Sequence, residues 1–196
     1  MSSIFLVTTI LSLLISNSLF SSDNEIHING IKKFIDNFHA VEAGALYRSS
    51  QLKPNRLKKY IKKLGIKTII NLRGINPTRH WWQREKRLAK EFGIKFYNIP
   101  FNAGTFSSKK NLYKLLYLYE HAPKPILIHC RDGADRSGEA AALWILEHQG
   151  KGKKEALKHL SIKYGYVKFY RPAKYSLIKM WQGKKWLAKN YNPERL

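Results

Sequence analysis

The chain has 196 residues, 44% of them hydrophobic, enough to bury one good core and therefore read as one domain. A single cysteine excludes an intramolecular disulfide and any multi-cysteine metal site. With 36 Lys and Arg against 13 Asp and Glu, the formal net charge is +23, which favours anionic partners: phosphorylated substrates, nucleic acid or an acidic membrane surface. Charge alone does not choose among these, and a solvated lysine-rich surface accounts for it equally well.

The first element is the uncharged apolar run IFLVTTILSLLI, residues 4–15, followed by SNSLFSS. Its length suits the core of a signal peptide and falls short of the roughly 20 residues of a spanning helix. Ser16 and Ser18 fit the small-residue positions of a cleavage site. No Lys or Arg precedes the run, however, and extended to Phe20 it reads as an uncleaved anchor. Residues 1–22 are therefore a signal peptide or N-terminal anchor, which places the protein outside the cytoplasm or on a membrane. Residues 23–44 read as a lead-in, and residues 45–190 as the folded domain.

A short strand is expected around Leu46 and Tyr47, then a helix from Pro54 to about Leu64 stopped by Gly65. IKTIINLRG is a buried strand, GINPTRHWW a loop, and QREKRLAKEFG a short helix closed by Gly93. IKFYNIPF is the next strand and NAGTFSS the next loop. Leu112, Leu115, Leu116 and Tyr119 form one helical stripe, and PILI leads as a buried strand into His129 and Cys130. EAAALWILEH continues as a helix. KKEALKHLSIKY and a segment from Ala173 to Lys189 are two further helices; the second reads as a packed helix with a wet, basic face that includes Lys174, or as a membrane-binding amphipathic helix. Alternating strands and helices imply an α/β fold, with a mainly parallel central sheet flanked by helices and the site at the carboxyl ends of the strands.

HCRDGADRSG, residues 129–138, lies between such a strand and a helix. Metal-free hydrolysis of a phosphate ester needs a nucleophile, neutralisation of the phosphoryl oxygens and a proton for the leaving oxygen. Cys130 with Arg136 after five intervening residues meets the first two demands. A loop of that length can turn its backbone N–H groups towards an anion, and the N-terminus of the following helix adds its positive end. The Arg136 guanidinium can grip two phosphate oxygens, and the same field favours the thiolate. Ser137 is placed to donate a hydrogen bond to the sulfur, and Gly133 and Gly138 permit close approach. Read structurally, Cys130 would be a buried thiol before a surface turn, which leaves the arginine, serine and glycine spacing unexplained.

These ten residues resemble the phosphate-binding loop of cysteine-dependent protein tyrosine and dual-specificity phosphatases. LYRSSQL, GIKTIINLRG and the strand ending in IPF extend the resemblance to the compact bacterial dual-specificity branch, some members of which are exported, over about residues 40–170. The resemblance implies Cys130 as nucleophile, Arg136 as phosphate clamp and Ser137 as partner of the thiolate. It further implies a cradle formed by the backbone of Arg131, Asp132, Gly133, Ala134 and Asp135, with Gly138 behind it and His129 as a hydrogen-bonded support. It implies no metal and no cofactor.

The family's usual general acid is an aspartate on the loop after the strand that here reads IKFYNIPF. That loop is FNAGTFSS, Gly104 stands at about the expected place, and no Asp occurs between Asn37 and Arg131. Three readings follow: a slow or inactive phosphate binder, a contribution from Glu85 or Glu91 (both of which read as a solvated helix face), or an acid inside the loop, Asp132 or Asp135. C-x-D-G-x-D-R also resembles the loop of myotubularin-type phosphoinositide phosphatases, in which a loop aspartate is a candidate proton donor. Against that, Asp135 is equally suited to capping the helix and Asp132 to pairing with a neighbouring cation. Arg48 and Arg73, at the ends of two predicted strands, are expected to rim the site and meet a second phosphate or a carboxylate. Arg79, His80, Trp81 and Trp82 are candidates for one wall, with at least one tryptophan in the core. The expected substrate is a phosphotyrosine- or phosphoserine/threonine-bearing protein. The alternatives are a phosphoinositide or inositol polyphosphate, or phosphate binding without turnover. An anionic membrane surface is a further partner class; no motif for specific nucleic-acid recognition is present.

Overall fold

The computed structural model describes residues 36–196. The segment read as a signal peptide or anchor lies outside the described residues. Among them, no helix is long and apolar enough to cross a membrane.

Among the described residues, five strands form one sheet in the order β1-β2-β5-β3-β4: β1 (His39–Glu42), β2 (Leu46–Ser49), β3 (Thr68–Asn71), β4 (Lys95–Asn98) and β5 (Ile126–His129). Only β1 runs antiparallel to its neighbour. The lead-in is thus partly structural: β1 is an edge strand of the sheet, supplied by residues the sequence pattern leaves outside the domain. Arg48, Ile128 and Ile70 lie side by side across the three inner strands, and Ser49, His129 and Asn71 form the next row. Successive strand residues face opposite sides. Leu46, Ile70, Ile126 and Ile128 therefore enter one core and Tyr47, Ile69 and Leu127 the other.

The second face is covered by α1 (Pro54–Leu64) and α2 (His80–Glu91), which contribute Leu57, Tyr60, Ile61, Leu88 and Ala89. Helix α2 starts three residues earlier than the sequence pattern implies, so His80, Trp81 and Trp82 stand in its first turn rather than in a loop. Trp82 is buried and donates from Nε1 to Asn98 Oδ1 at 2.8 Å. On the first face lie α3 (Lys109–His121) and α4 (Asp135–Glu147), with the stripe Leu112, Leu115, Leu116 and Tyr119 fully inward. Ser108 caps α3 through the Asn111 amide. Helix α4 is buried on nearly every side, which explains why apolar residues occupy every face from Ala140 to Leu146.

The two C-terminal helices are shorter than their periodicity suggests. The first is α5 (Lys153–Leu157), followed by a 3₁₀ turn at Ile162–Tyr164; the second divides into α6 (Pro172–Met180) and α7 (Lys184–Lys189), with Gly183 at φ 91° in the break. The expected wet face of α6 is also interrupted. Lys174 is fully buried, 2.8 Å from Glu139 on α4 and hydrogen-bonded to Ser107. Ser107 also donates to Glu139, and its carbonyl accepts from Tyr191 at 2.6 Å. This network ties the loop after β4 to α4 and α6. Burial pushes the Glu139 carboxyl up, against the pull of Lys174. Lys174→Met is expected to cost about 3–5 kcal/mol because it strands a buried carboxylate, and adding Glu139→Gln should recover most of that loss. Urea unfolding of the single and double variants checks both.

Candidate active site

Cys130 follows β5 directly, and the loop from Arg131 to Ala134 leads into α4. The loop carbonyls are held from outside. Arg131 O accepts from the Gln51 amide at 3.0 Å, and Asp132 O from Asn37 Nδ2 at 2.9 Å. Gly133 O and Ala134 O accept from one terminal nitrogen of Arg48 at 2.7 and 3.1 Å. In a trans peptide the N–H points away from the C=O. Fixing these four carbonyls outwards therefore turns the amides of Asp132, Gly133, Ala134 and Asp135 towards the opposite side, where Cys130 lies. The Gly133 amide shows it, donating to Cys130 Sγ at 3.2 Å. Gly133 has φ 73°, and a Cβ there would meet Ser50 N at 2.7 Å and Ser49 C at 2.8 Å, so the loop sits directly on the end of β2. At Gly138 a Cβ would strike Leu160 Cδ2 at 2.7 Å and His159 O at 2.9 Å.

Cys130 is buried and free. Arg136 is partly exposed, but its Nε is buried without a hydrogen-bond partner among the described residues, as a clamp for an incoming oxyanion requires. Ser137 does not reach the sulfur: its hydroxyl donates to the Ser49 carbonyl at 3.5 Å, because the first turn of α4 brings it against the end of β2. His129 is buried, with Nδ1 3.4 Å from the Cys130 carbonyl and Nε2 3.0 Å from Glu85 Oε1. The second contact is close but poorly aligned for a hydrogen bond, and Glu85 Oε2 is buried without one. Glu85 is thus not on a solvated face; it backs the histidine behind the nucleophile. Glu91 is solvated and pairs with Lys58 at 3.0 Å.

The two loop aspartates differ. Asp132 is exposed and held by Arg131 Nε at 3.1 Å, as a surface pair. Asp135 heads α4 without capping it, since Ala134 is the N-cap residue and no side chain closes the turn. Its nearest cation is Arg171, 3.9 Å away. Burial pushes the Asp135 carboxyl above the ordinary carboxylate range, and Arg171 and then Arg136 pull against that rise. Gly104 lies in the exposed loop after β4, where Asn102 Oδ1 accepts from its amide, and no carboxylate stands in that loop. Asp135 is therefore the better placed of the internal candidates for the proton donor.

Arg48 does not rim the site. It shares a strand face with Leu46, so its side chain enters the core beneath the loop, fully buried, with Nη1 donating to His159 O at 2.8 Å and the guanidinium over the Tyr164 ring at 4.3 Å. Burial brings its pKa down to about 10, still charged at neutral pH. Arg73, beyond β3, stays at the surface. It stacks on Trp81 at 3.5 Å and donates to Gln51 Oε1 at 3.0 Å. Burial and then the charge of Arg136 lower its pKa, with Arg131 adding to the fall and Cys130 and Glu85 opposing it. Beside them opens a cleft of about 200 Å³ whose lining includes Gln51, Lys53, Trp81, Arg84 and Glu85. Among the described residues no cluster of His, Cys, Asp and Glu is placed to hold a metal ion.

A thiol in an amide cradle at the carboxyl end of a parallel sheet, with an arginine clamp on the following helix, defines a cysteine-based phosphatase of the dual-specificity and protein tyrosine type. The chain belongs to the family described as DSP-PTPase phosphatase fused to NAD+ kinase, whose model matches residues 27–169. No curated protein sequence matches it significantly. Among solved structures it is similar to the core catalytic domain of the PP-IP phosphatase SIW14 from S. cerevisiae, with 25% identity, TM-score 0.63, and coverage of 76% of this chain and 87% of that one. It is also similar in fold to TpbA from P. aeruginosa, with 20% identity, TM-score 0.61, and coverage of 76% and 86%.

In the reaction of this class the Cys130 thiolate attacks phosphorus, the P–O bond to the leaving group breaks, and water then hydrolyses the phospho-cysteine and restores the thiolate. Cys130→Ser should abolish turnover and keep anion binding, and Arg136→Lys should be severely impaired because a point charge does not replace the bidentate fork; steady-state kinetics and phosphate titration check both. As proton donor Asp135 would act only while protonated, so its contribution is expected below its raised pKa and is lost as pH rises through it. Asp135→Asn should slow alkyl phosphates by roughly 10²-fold, flatten that alkaline decline, and change aryl phosphates little. Asp132→Asn should affect both substrate types alike, and pH–rate profiles on an alkyl and an aryl ester test the pair.

Proposed function

We propose that the enzyme removes phosphate from a multiply phosphorylated inositol, either soluble or carried on a lipid. The observation that carries this reading is Arg73. It is half-buried on Trp81, its charge is opposed by those of Arg136 and Arg131 against the pull of Cys130 and Glu85, and it forms no ion pair among the described residues. A cation held against like charges is stabilised by a ligand with more than one anionic group. Lys53 and Arg84 extend that basic wall along the adjoining cleft. The chain's net charge of +23 supports the same class, as does its similarity to a PP-IP phosphatase.

The loop after β4 fits the pyrophosphate members of this substrate class. A phosphate leaving from a phosphoanhydride departs near neutral pH without a donated proton, so the carboxylate absent from that loop is dispensable for such a bond. A phosphotyrosine or phosphoserine/threonine protein is the second reading; TpbA, one structure of which contains phosphotyrosine, supports it through the fold. The test is phosphate release from inositol polyphosphates, inositol pyrophosphates, phosphoinositides and phosphopeptides by the wild type and by Arg73→Ala. The inositol substrates should be preferred, and Arg73→Ala should raise their KM by about tenfold or more while changing phosphopeptide kinetics little. Preference for phosphopeptides, with inositol kinetics indifferent to Arg73, would overturn the proposal.

A further inference from the structure

The segment joining α5 to α6 carries features that catalysis leaves unused. Its inner side is firmly held. Tyr164 lies under Arg48 and edge-on to His39, and its carbonyl accepts from Asn37 Nδ2 at 2.8 Å. Tyr166 is buried and bridges Arg171 O at 2.6 Å and the Tyr175 amide at 3.2 Å. Its outer side is apolar and bare: Ile162 is 81% exposed, Phe169 88% and Tyr170 72%. An ordered connection with three large apolar residues in water is unusual among solvent-facing loops.

The collar of this tip is basic. Lys163 and Lys168 lie over the Tyr164 and Tyr175 rings and form no ion pair among the described residues. The tip also stands at the mouth of the site, since Arg171, the next residue, is 3.9 Å from Asp135. Projecting aromatics above unpaired lysines match the boundary of an anionic bilayer: the rings enter the headgroup and acyl region while the ammonium groups meet lipid phosphates.

We infer that the tip formed by Ile162, Phe169 and Tyr170, with Lys163 and Lys168, docks the enzyme on an anionic lipid surface, with the catalytic mouth turned towards the headgroups. The docking is independent of the substrate assigned above. Its consequence, that the substrate is lipid-borne, rests on that reading.

The test is hydrogen exchange of the full chain with vesicles of pure phosphatidylcholine and of phosphatidylcholine with phosphatidylserine, which reports on this segment whatever else touches the membrane. Amides of residues 162–171 should gain protection with the anionic vesicles only. Phe169→Ser with Tyr170→Ser should raise the vesicle concentration needed for half-protection by at least about tenfold, as loss of two buried rings requires. The rate on soluble p-nitrophenyl phosphate should stay unchanged. Absence of protection in the wild type, or equal protection in the double variant, would overturn the inference. Protection accompanied by no hydrolysis of inositol lipids would uphold the docking and contradict only its consequence, that the substrate is lipid-borne.

Discussion

Hydrogen bonds from the buried guanidinium of Arg48 to the carbonyls of Gly133 and Ala134 are the constraint on which this site depends. A phosphate cradle made of backbone is unstable in isolation: amides turned to one point repel each other, and each carbonyl turned away must find a donor. Here every such carbonyl has one. Arg48 serves two, Asn37 serves Asp132 and the Gln51 amide serves Arg131. The anion-binding side of the loop is thus specified from its reverse side. The guanidinium is itself kept in place by the His159 carbonyl and the Tyr164 ring.

The same brace joins parts of the chain that are far apart in sequence. Asn37 binds both the catalytic loop and the carbonyl of Tyr164, while the Asp36 carbonyl accepts from both the amide and the hydroxyl of Ser50, beside the loop. The Asp36 carboxylate in turn takes Arg56 and Tyr60 from α1. The turn that carries Tyr164 also leads to the exposed aromatic tip. A surface contact there and the geometry of the loop share one set of supports, which is a physical reason for docking and catalysis to sit on one face.

Much of this was legible in the sequence because its determinants are local. PILI followed by a cysteine, glycines and an arginine at fixed spacing dictates strand, loop and helix within a few residues. The stripe of Leu112, Leu115, Leu116 and Tyr119 dictates a helix face. Three polar residues escaped that reading, although each occupies an apolar position of its element. Arg48 has the strand parity of Leu46; Glu85 shares the stripe of Trp82, Leu88 and Ala89; Lys174 lies with Leu177 and Ile178. Charge suggested solvent where position indicated the core, and all three are buried against partners from other elements. Asp36 and Asn37 had no local signal at all, since their role rests on contacts made across much of the chain. The acid shows the opposite balance: the sequence left a loop aspartate, Glu85 or Glu91, or no working acid open, and the structure distinguishes Asp135, part-buried at the head of α4, from the exposed Asp132.

Arg48 shapes the cradle through its fork and not merely through its charge. The most direct measurement is calorimetric titration of inorganic phosphate into the wild type and into Arg48→Lys, with circular dichroism to show that both are folded. Lysine keeps the positive charge but does not span the carbonyls of Gly133, Ala134 and His159. Phosphate affinity is expected to fall by about tenfold or more in the folded variant, the effect of releasing two charge-assisted hydrogen bonds. Unchanged affinity in folded Arg48→Lys would contradict it.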